Sequence, residues 1–379
     1  MAAAALQMTR IAITALGVIA PAAIGPIDRF DTAGLSSHTA ALVRDFKPRD
    51  YIAPMKLRRM NQLSRLTVSA ARLALGDRKL PGGSGVAIGT AFGTVQTSVD
   101  YMQEYVEKGA ALAPPQLFAE SVANAPGSHV AIEHDLRGFN VTITQRESSA
   151  LAAAMFACQQ IAKGAAPAAL IGGVDEVTEM VFSVLARLGA TSDVARPFDR
   201  RRDGFVPGEG SAVLVAEAAP SAEPLGFFSG FGIGRDTTAT TSDWGSDDAR
   251  VAEVMRAAMD DAGVTHVDAI FASANGSRRG DAVEARAIAR LFGDNVPPVI
   301  ATKGAFGEYA AAGALQLAAA FAALRDRWLP ASVGFEERDP ELPIGADSGG
   351  MAAALHNVLI NSISAGGGIV CAVASATSS

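Results

Sequence analysis

Large aromatic rings are scarce in this sequence, where Phe, Trp and Tyr make up 6% of 379 residues. That excludes a core of stacked rings. With 38 glycines and 49% hydrophobic residues, packing must come from small aliphatic side chains, close helix–strand approach and tight turns. Cysteine is scarcer still. Cys158 and Cys371 allow no disulfide framework and no cysteine-rich zinc site, which fits a reducing, cytoplasmic setting. Basic charge is not in excess either: 32 Lys and Arg against 39 Asp and Glu give a net charge of −7, which argues against nucleic acid as the main partner. Long hydrophobic runs are absent too. The leading MAAAALQ is too short and uncharged for a signal peptide, and the apolar stretch from Ile11 to Ile24 is broken by Gly17 and Pro21, so it reads as strand and turn. Met8 is a candidate start, with the first seven residues a frayed extension.

The chain is long enough for two domain-sized halves around a large core. One rhythm recurs along it: a short apolar run, a glycine-rich turn, then an alanine-rich helix. That is the pattern of parallel strands covered by helices, an α/β fold. Arg10–Gly17, Gly85–Gly89 and Ala168–Gly173 read as strands of the first half; Val267–Ala272, Val299–Ala301 and Gly367–Ala374 read as strands of the second. The segment Asp247 to Ala262 opens on acidic residues and closes on Gly263, as capping and the helix dipole favour. Ala219 to Thr241 is rich in Pro, Gly, Ser and Thr without helical period, which places a boundary there: 1–222 and 223–379.

One stretch is far more specific. Arg196-Pro-Phe-Asp-Arg-Arg-Arg-Asp-Gly-Phe-Val-Pro-Gly-Glu-Gly210 resembles the PFDxxRDGFVxGEG signature of β-ketoacyl synthases. ITALGVIAPA is similar to that family's first strand and Lys56-Leu-Arg-Arg-Met60 to its KxLRRM segment. Further matches are Gly172-Gly-Val-Asp-Glu176, Gly280-Asp-Ala-Val-Glu284, Thr302-Lys303, and Asn361-Ser362 with the glycines at 366 to 368. The resemblance spans residues 10 to 376. It implies a thiolase-like, five-layered αβαβα fold of two similar halves, and a dimer.

The family's chemistry needs a cysteine at the start of a buried helix to hold the acyl chain as a thioester, and two histidines for decarboxylation and for the enolate oxygen. In the family the cysteine lies seventeen residues before the glycine that ends the central helix. Gly164 fills that role here, and 164 − 17 gives Glu147, which cannot form a thioester. Cys158 is eleven residues further along a buried helix and cannot deputise. The first histidine belongs to an AHGTxTxxGD loop, which here reads Ala272-Ser-Ala-Asn-Gly-Ser-Arg-Arg-Gly-Asp281 and puts Ser273 at the position. The second belongs to KxxxGH, here Lys303-Gly-Ala-Phe-Gly-Glu308. The chain's histidines, His38, His129, His134, His266 and His356, match neither catalytic position, although His129 falls where the family often has a histidine in a structural helix.

Lys303, Asp281, Glu284 and Glu209 remain, and the resemblance implies a buried polar network of such groups. Their roles are read as scaffold. A retained fold with Cys, His and His replaced resembles the chain length factor, or β-subunit, of type II polyketide and polyene synthases. The expectation is a chain inactive alone, without cofactor or metal, that pairs with an intact ketosynthase subunit and meets the acyl carrier protein through the complex. Membrane is not an expected partner. Phe92, Leu117 and Phe118 are expected to set the depth of a shared acyl tunnel, and Asn124 and Ala125 to lie in the interface. The alternative is a malonyl or acyl thioester decarboxylase, priming the chain with Glu147 as acid or base.

Overall fold

The computed structural model describes residues 9–25 and 40–377. Met8, the residues before it and His38 lie outside the described residues. Ten strands form the body. In chain order they are β1 Ile11–Ile19, β2 Gly85–Gly89, β3 Asn140–Ile143, β4 Ala168–Asp175 and β5 Gly210–Glu217, then β6 Gly226–Arg235, β7 Ala269–Phe271, β8 Val299–Ile300, β9 Asn357–Ile363 and β10 Gly368–Ser375. The first five pair in the order β3-β2-β4-β5-β1 and the second five in the order β8-β7-β9-β10-β6. These are the same arrangement. In each set the outer three strands run parallel and the two remaining pairings are antiparallel. The two sets join where Ile11, Ala12 and Ile13 of β1 pair with Phe228, Phe227 and Gly226 of β6.

Helices complete five layers. In chain order they are α1 Gln62–Leu75, α2 Val95–Lys108, α3 Pro115–Glu120, α4 Ala125–Glu133, α5 Ser149–Ala162, α6 Glu179–Arg187, α7 Asp248–Ala262, α8 Arg278–Phe292 and α9 Ala314–Asp326. Leu63 and Leu66 of α1 and Val130 of α4 cover the outer face of the first sheet beside Val86, Ile88 and Leu170. Met255 and Met259 of α7 and Ile288 of α8 do the same for the second, beside Ile270, Leu359 and Val373. Between the sheets lie α5 and α9, with Leu151, Ala154, Ala157, Leu317 and Phe321 in one core with both sheets. A helix enclosed on all sides must be apolar all round, and alanine keeps two sheets and a helix layer within packing distance. That explains the alanine-rich, ring-poor composition. The thiolase-like five-layered fold implied by the sequence is the one observed.

Two sequence expectations are met closely. Asp247 caps α7 by accepting from the Arg250 N–H at 2.9 Å, and Gly263 ends it in the left-handed conformation. The segment Ala219 to Thr241, where the boundary between halves was placed, contains β6, a ten-residue strand. The glycines of that strand serve helix packing. A Cβ on Gly232 would lie 2.1 Å from the Val254 carbonyl oxygen of α7, so glycine sets the distance between strand and helix. Strand β5 and much of β9 escaped notice because both run on from recognised motifs.

Gly232→Ala should therefore cost about 2 kcal/mol or more of stability, through overpacking of α7 against β6. Urea unfolding measures it, and an unchanged midpoint would contradict this packing account.

Candidate active-site remnant

The chain passes from β3 into α5 through a tight turn, Arg146–Ser148. Arg146 has φ 49°, a left-handed conformation that L-residues rarely adopt and that here aims residue 147 into the protein. Glu147 is fully buried. Its Oε2 accepts from the Ala365 N–H at 3.2 Å, and its carbonyl accepts from the Ser362 hydroxyl at 2.9 Å. Oε1 has no partner in ordinary hydrogen-bond geometry. Burial first, then repulsion from Glu308, pushes this carboxyl up to about 7; its own backbone, the Tyr309 hydroxyl and Lys303 act in the opposite direction.

The structure brings the other two replaced positions to the same centre. Glu308 accepts from Lys303 Nζ at 2.7 Å and from Asn275 Nδ2 at 2.6 Å through Oε2, and from the Tyr309 N–H at 2.9 Å through Oε1. Ser273 is held on all sides: its N–H donates to Glu284 Oε1 at 2.8 Å, while its hydroxyl donates to the Ile363 carbonyl at 3.3 Å and accepts from the Ile363 N–H at 3.0 Å. The recess lined by Ser273, Asn275 and Glu284 measures about 10 Å³, scarcely the space for one water. A polar recess of about 530 Å³ reaches Arg146 and Ala365, and Glu147 is not part of its wall.

Three of the four retained charges form the expected network. Asp281 accepts from the N–H groups of Phe198, Asn275 and Gly276 at 2.7, 3.0 and 3.1 Å, which ties the signature loop to the Ala272–Asp281 loop. Burial raises it to about 6. Glu284 accepts from Ser273 and from Asn361 Nδ2, and burial raises it to about 7. Glu209 is different: it accepts from the N–H groups of Val43 and Val177 and belongs to a second buried carboxyl cluster with Glu176, which burial and then Glu209 raise to about 7. It is therefore separate from the Lys303 network, contrary to the sequence reading.

The described histidines lie elsewhere. His129 Nε2 contacts Glu120 Oε1 at 2.8 Å, burial lowers His134, and His266 and His356 are exposed. Cys158 is enclosed in α5, and burial drives its thiol far above its ordinary range, which leaves it inert.

Phe92 lines an apolar groove of about 720 Å³ between α2 and the start of α6. Its ring packs edge-on against Tyr309 at 4.7 Å, so one phenol separates groove and Glu147. Leu117 and Phe118 sit on α3 outside the groove wall; Phe118 is 60% exposed beside Tyr101. Asn124 is exposed, whereas Ala125 is buried in its own chain. The Ala125 side chain packs within its own chain.

Tyr309 and Gln316 were missed from sequence. Gln316 donates through Nε2 to the carbonyls of Phe271, Ala272 and Asn361 at 2.8, 2.9 and 3.0 Å. A lone amide in the alanine-rich α9 was the available signal.

The family description "Beta-ketoacyl synthase, N-terminal domain" matches residues 23–222, and "Beta-ketoacyl synthase, C-terminal domain" matches 225–336. The tetracenomycin polyketide synthase ketoacyl synthase alpha subunit of Streptomyces glaucescens is 31% identical over 380 residues, 88% of each chain. The beta subunit of the same synthase is 29% identical over 369 residues, 88% of this chain and 90% of that one. Among solved structures, the ishigamide ketosynthase/chain length factor superposes with a TM-score of 0.87 at 27% identity, covering 98% of this chain and 100% of the other.

The Glu147 carboxyl supplies a test. An unfolded chain releases this proton at the ordinary glutamate value while the folded chain keeps it to about 7, so stability falls as pH rises through that window. Glu147→Gln removes the penalty and should gain about 2 kcal/mol over the parent between pH 5 and pH 8. Urea midpoints of both proteins at the two pH values measure it; a pH-independent difference would contradict the assignment.

Proposed function

The chain belongs to the β-ketoacyl synthase family, and we propose that within it this protein is the non-condensing partner of an intact ketosynthase, a chain length factor. One observation carries the reading: the three positions that need a thiol and two imidazoles hold Glu147, Ser273 and Glu308, all of them buried. Identity to an alpha and to a beta subunit is nearly equal, so overall similarity does not distinguish the roles. The replaced residues favour the beta-type role. A heterodimer in which the partner supplies the cysteine, receives substrate from the acyl carrier protein and shares an acyl tunnel gives the conserved scaffold a use without chemistry of its own.

The apolar residues exposed on one side support an assembly role. Met102, Val106, Phe118, Val122 and Met180 are 52, 76, 60, 45 and 55% exposed. They extend from the groove wall to α3 and the turn after it, too much contiguous apolar surface for a chain that works alone. Asn124 follows directly and belongs to the same proposed interface.

The decarboxylase reading has one observation in its favour, since a carboxyl held at about 7 suits an acid or base near neutrality. Substrate access counts against it. A reacting carboxyl must lie within hydrogen-bond reach of the proton it moves, and Glu147 is sealed.

In the complex, Phe92 is expected to limit the growing chain. Phe92→Ala in a heterodimer that still assembles should lengthen the product by about one or more two-carbon units, because the ring's volume equals several methylenes. Leu117→Ala and Phe118→Ala test the reach of α3 into the partner. Product masses from the co-expressed pair decide the matter: an unchanged length distribution in all three variants would leave no length-setting role.

A further inference from the structure

Tyr309 stands between the Phe92 side chain and the buried centre. It is 6% exposed, and its ring is held edge-on against Phe92 at 4.7 Å and Phe205 at 5.4 Å. Leu185 joins that small apolar cluster, and Ala91, Val181 and Ala190 pack against it. At its other end the hydroxyl reaches the Glu147 carboxyl and helps to lower it.

The backbone fixes the ring in this place. Tyr309 and Ala311 take φ 65° and 56°, left-handed values that residues with a Cβ rarely adopt. The Tyr309 N–H donates to Glu308 Oε1 at 2.9 Å, the Glu308 N–H donates to the Val206 carbonyl at 2.8 Å, and the Glu308 carbonyl accepts from the Gly208 N–H at 2.7 Å. Turning this backbone to carry the ring aside would break buried hydrogen bonds. Rotation of the side chain alone is hemmed in by the two phenylalanines.

We propose that Tyr309 is a steric plug, a ring that fills the space joining residue 147 to the wall at Phe92. The centre is then closed by volume as well as by the replacement of its three reactive residues. Such a plug belongs to this chain's own interior, whatever its partner. A thiol restored at 147 would still find a ring where an attached chain must lie. Tyr309→Ala frees a volume comparable to several methylenes.

The test uses the full chain carrying Glu147→Cys, because a thiol at 147 reports what the space around it accepts. Iodoacetamide and N-dodecyliodoacetamide share one reactive group, so the ratio of their labelling rates cancels the thiol's own reactivity and reads the room for a chain. Intact-protein mass spectrometry with peptide mapping follows the label, and the parent controls for Cys158 and Cys371. Adding Tyr309→Ala should raise the ratio of dodecyl to short reagent about ten-fold or more, since forcing methylenes into filled space is costly. Tyr309→Leu should raise it several-fold. Tyr309→Phe, which keeps the ring and loses the hydroxyl, should leave it unchanged. Leucine retains apolar contact with Phe92 and Phe205, so that variant decides the matter if the alanine variant also labels at Cys158 and Cys371, the mark of an opened core. A ratio no higher without the ring, or no labelling of any variant by either reagent, overturns the plug. A rise with Tyr309→Phe equal to that with Tyr309→Leu overturns it too, since the closure would then lie with the hydroxyl.

Discussion

Lys303 and Glu308 face each other at 2.7 Å in a place closed to water, with exposures of 2 and 1%, and the electrostatics of the centre follow from that pair. Buried charges persist only when matched. Lys303 is the cation the Glu308 carboxylate engages, and its charge also draws Glu147 and Glu284 downward, more weakly than burial raises them. Both of those are raised to about 7, with burial the first cause in each case. Replacing an imidazole by a carboxylate at 308 therefore has two effects. It removes a proton shuttle, and it engages the lysine while adding repulsion to Glu147. A carboxyl raised to about 7 is only partly ionised near neutrality, which weakens it as a nucleophile.

The scaffold around the centre carries constraints of its own. Asp281 gathers three backbone N–H groups from two loops, and Glu284 joins Ser273 to Asn361. Removing either carboxyl would orphan buried donors, each at a cost of about 1–3 kcal/mol. Such residues are held by folding whether or not the centre reacts. The same reasoning covers Gln316, whose amide serves three carbonyls where β7, the loop after it and β9 approach one another.

Much of this was legible in the sequence because the signature loop, the KxxxGE segment and the glycine ending α5 fix positions by spacing. Glu147, Ser273 and Glu308 converge on one centre as that spacing implied. What stayed hidden depends on three-dimensional closeness. Strand β6 was not picked out within its glycine-rich segment, since sequence cannot show a helix backbone packed against those glycines. Glu209 stood with the catalytic-site charges by motif, yet its hydrogen bonds go to Val43 and Val177. Ala125 looked like an interface residue, and its side chain turns inward. Tyr309 follows Glu308 in sequence, but only its αL backbone, φ 65°, places it between Phe92 and Glu147.

The central claim is that this chain holds no acyl group covalently while its partner does. The most direct measurement is intact-protein mass spectrometry of the co-expressed pair after exposure to acyl carrier protein thioester, reading each subunit separately. The account predicts an acyl mass increment on the partner alone, with this chain unshifted. A stable increment on this chain that maps to Glu147 would contradict it.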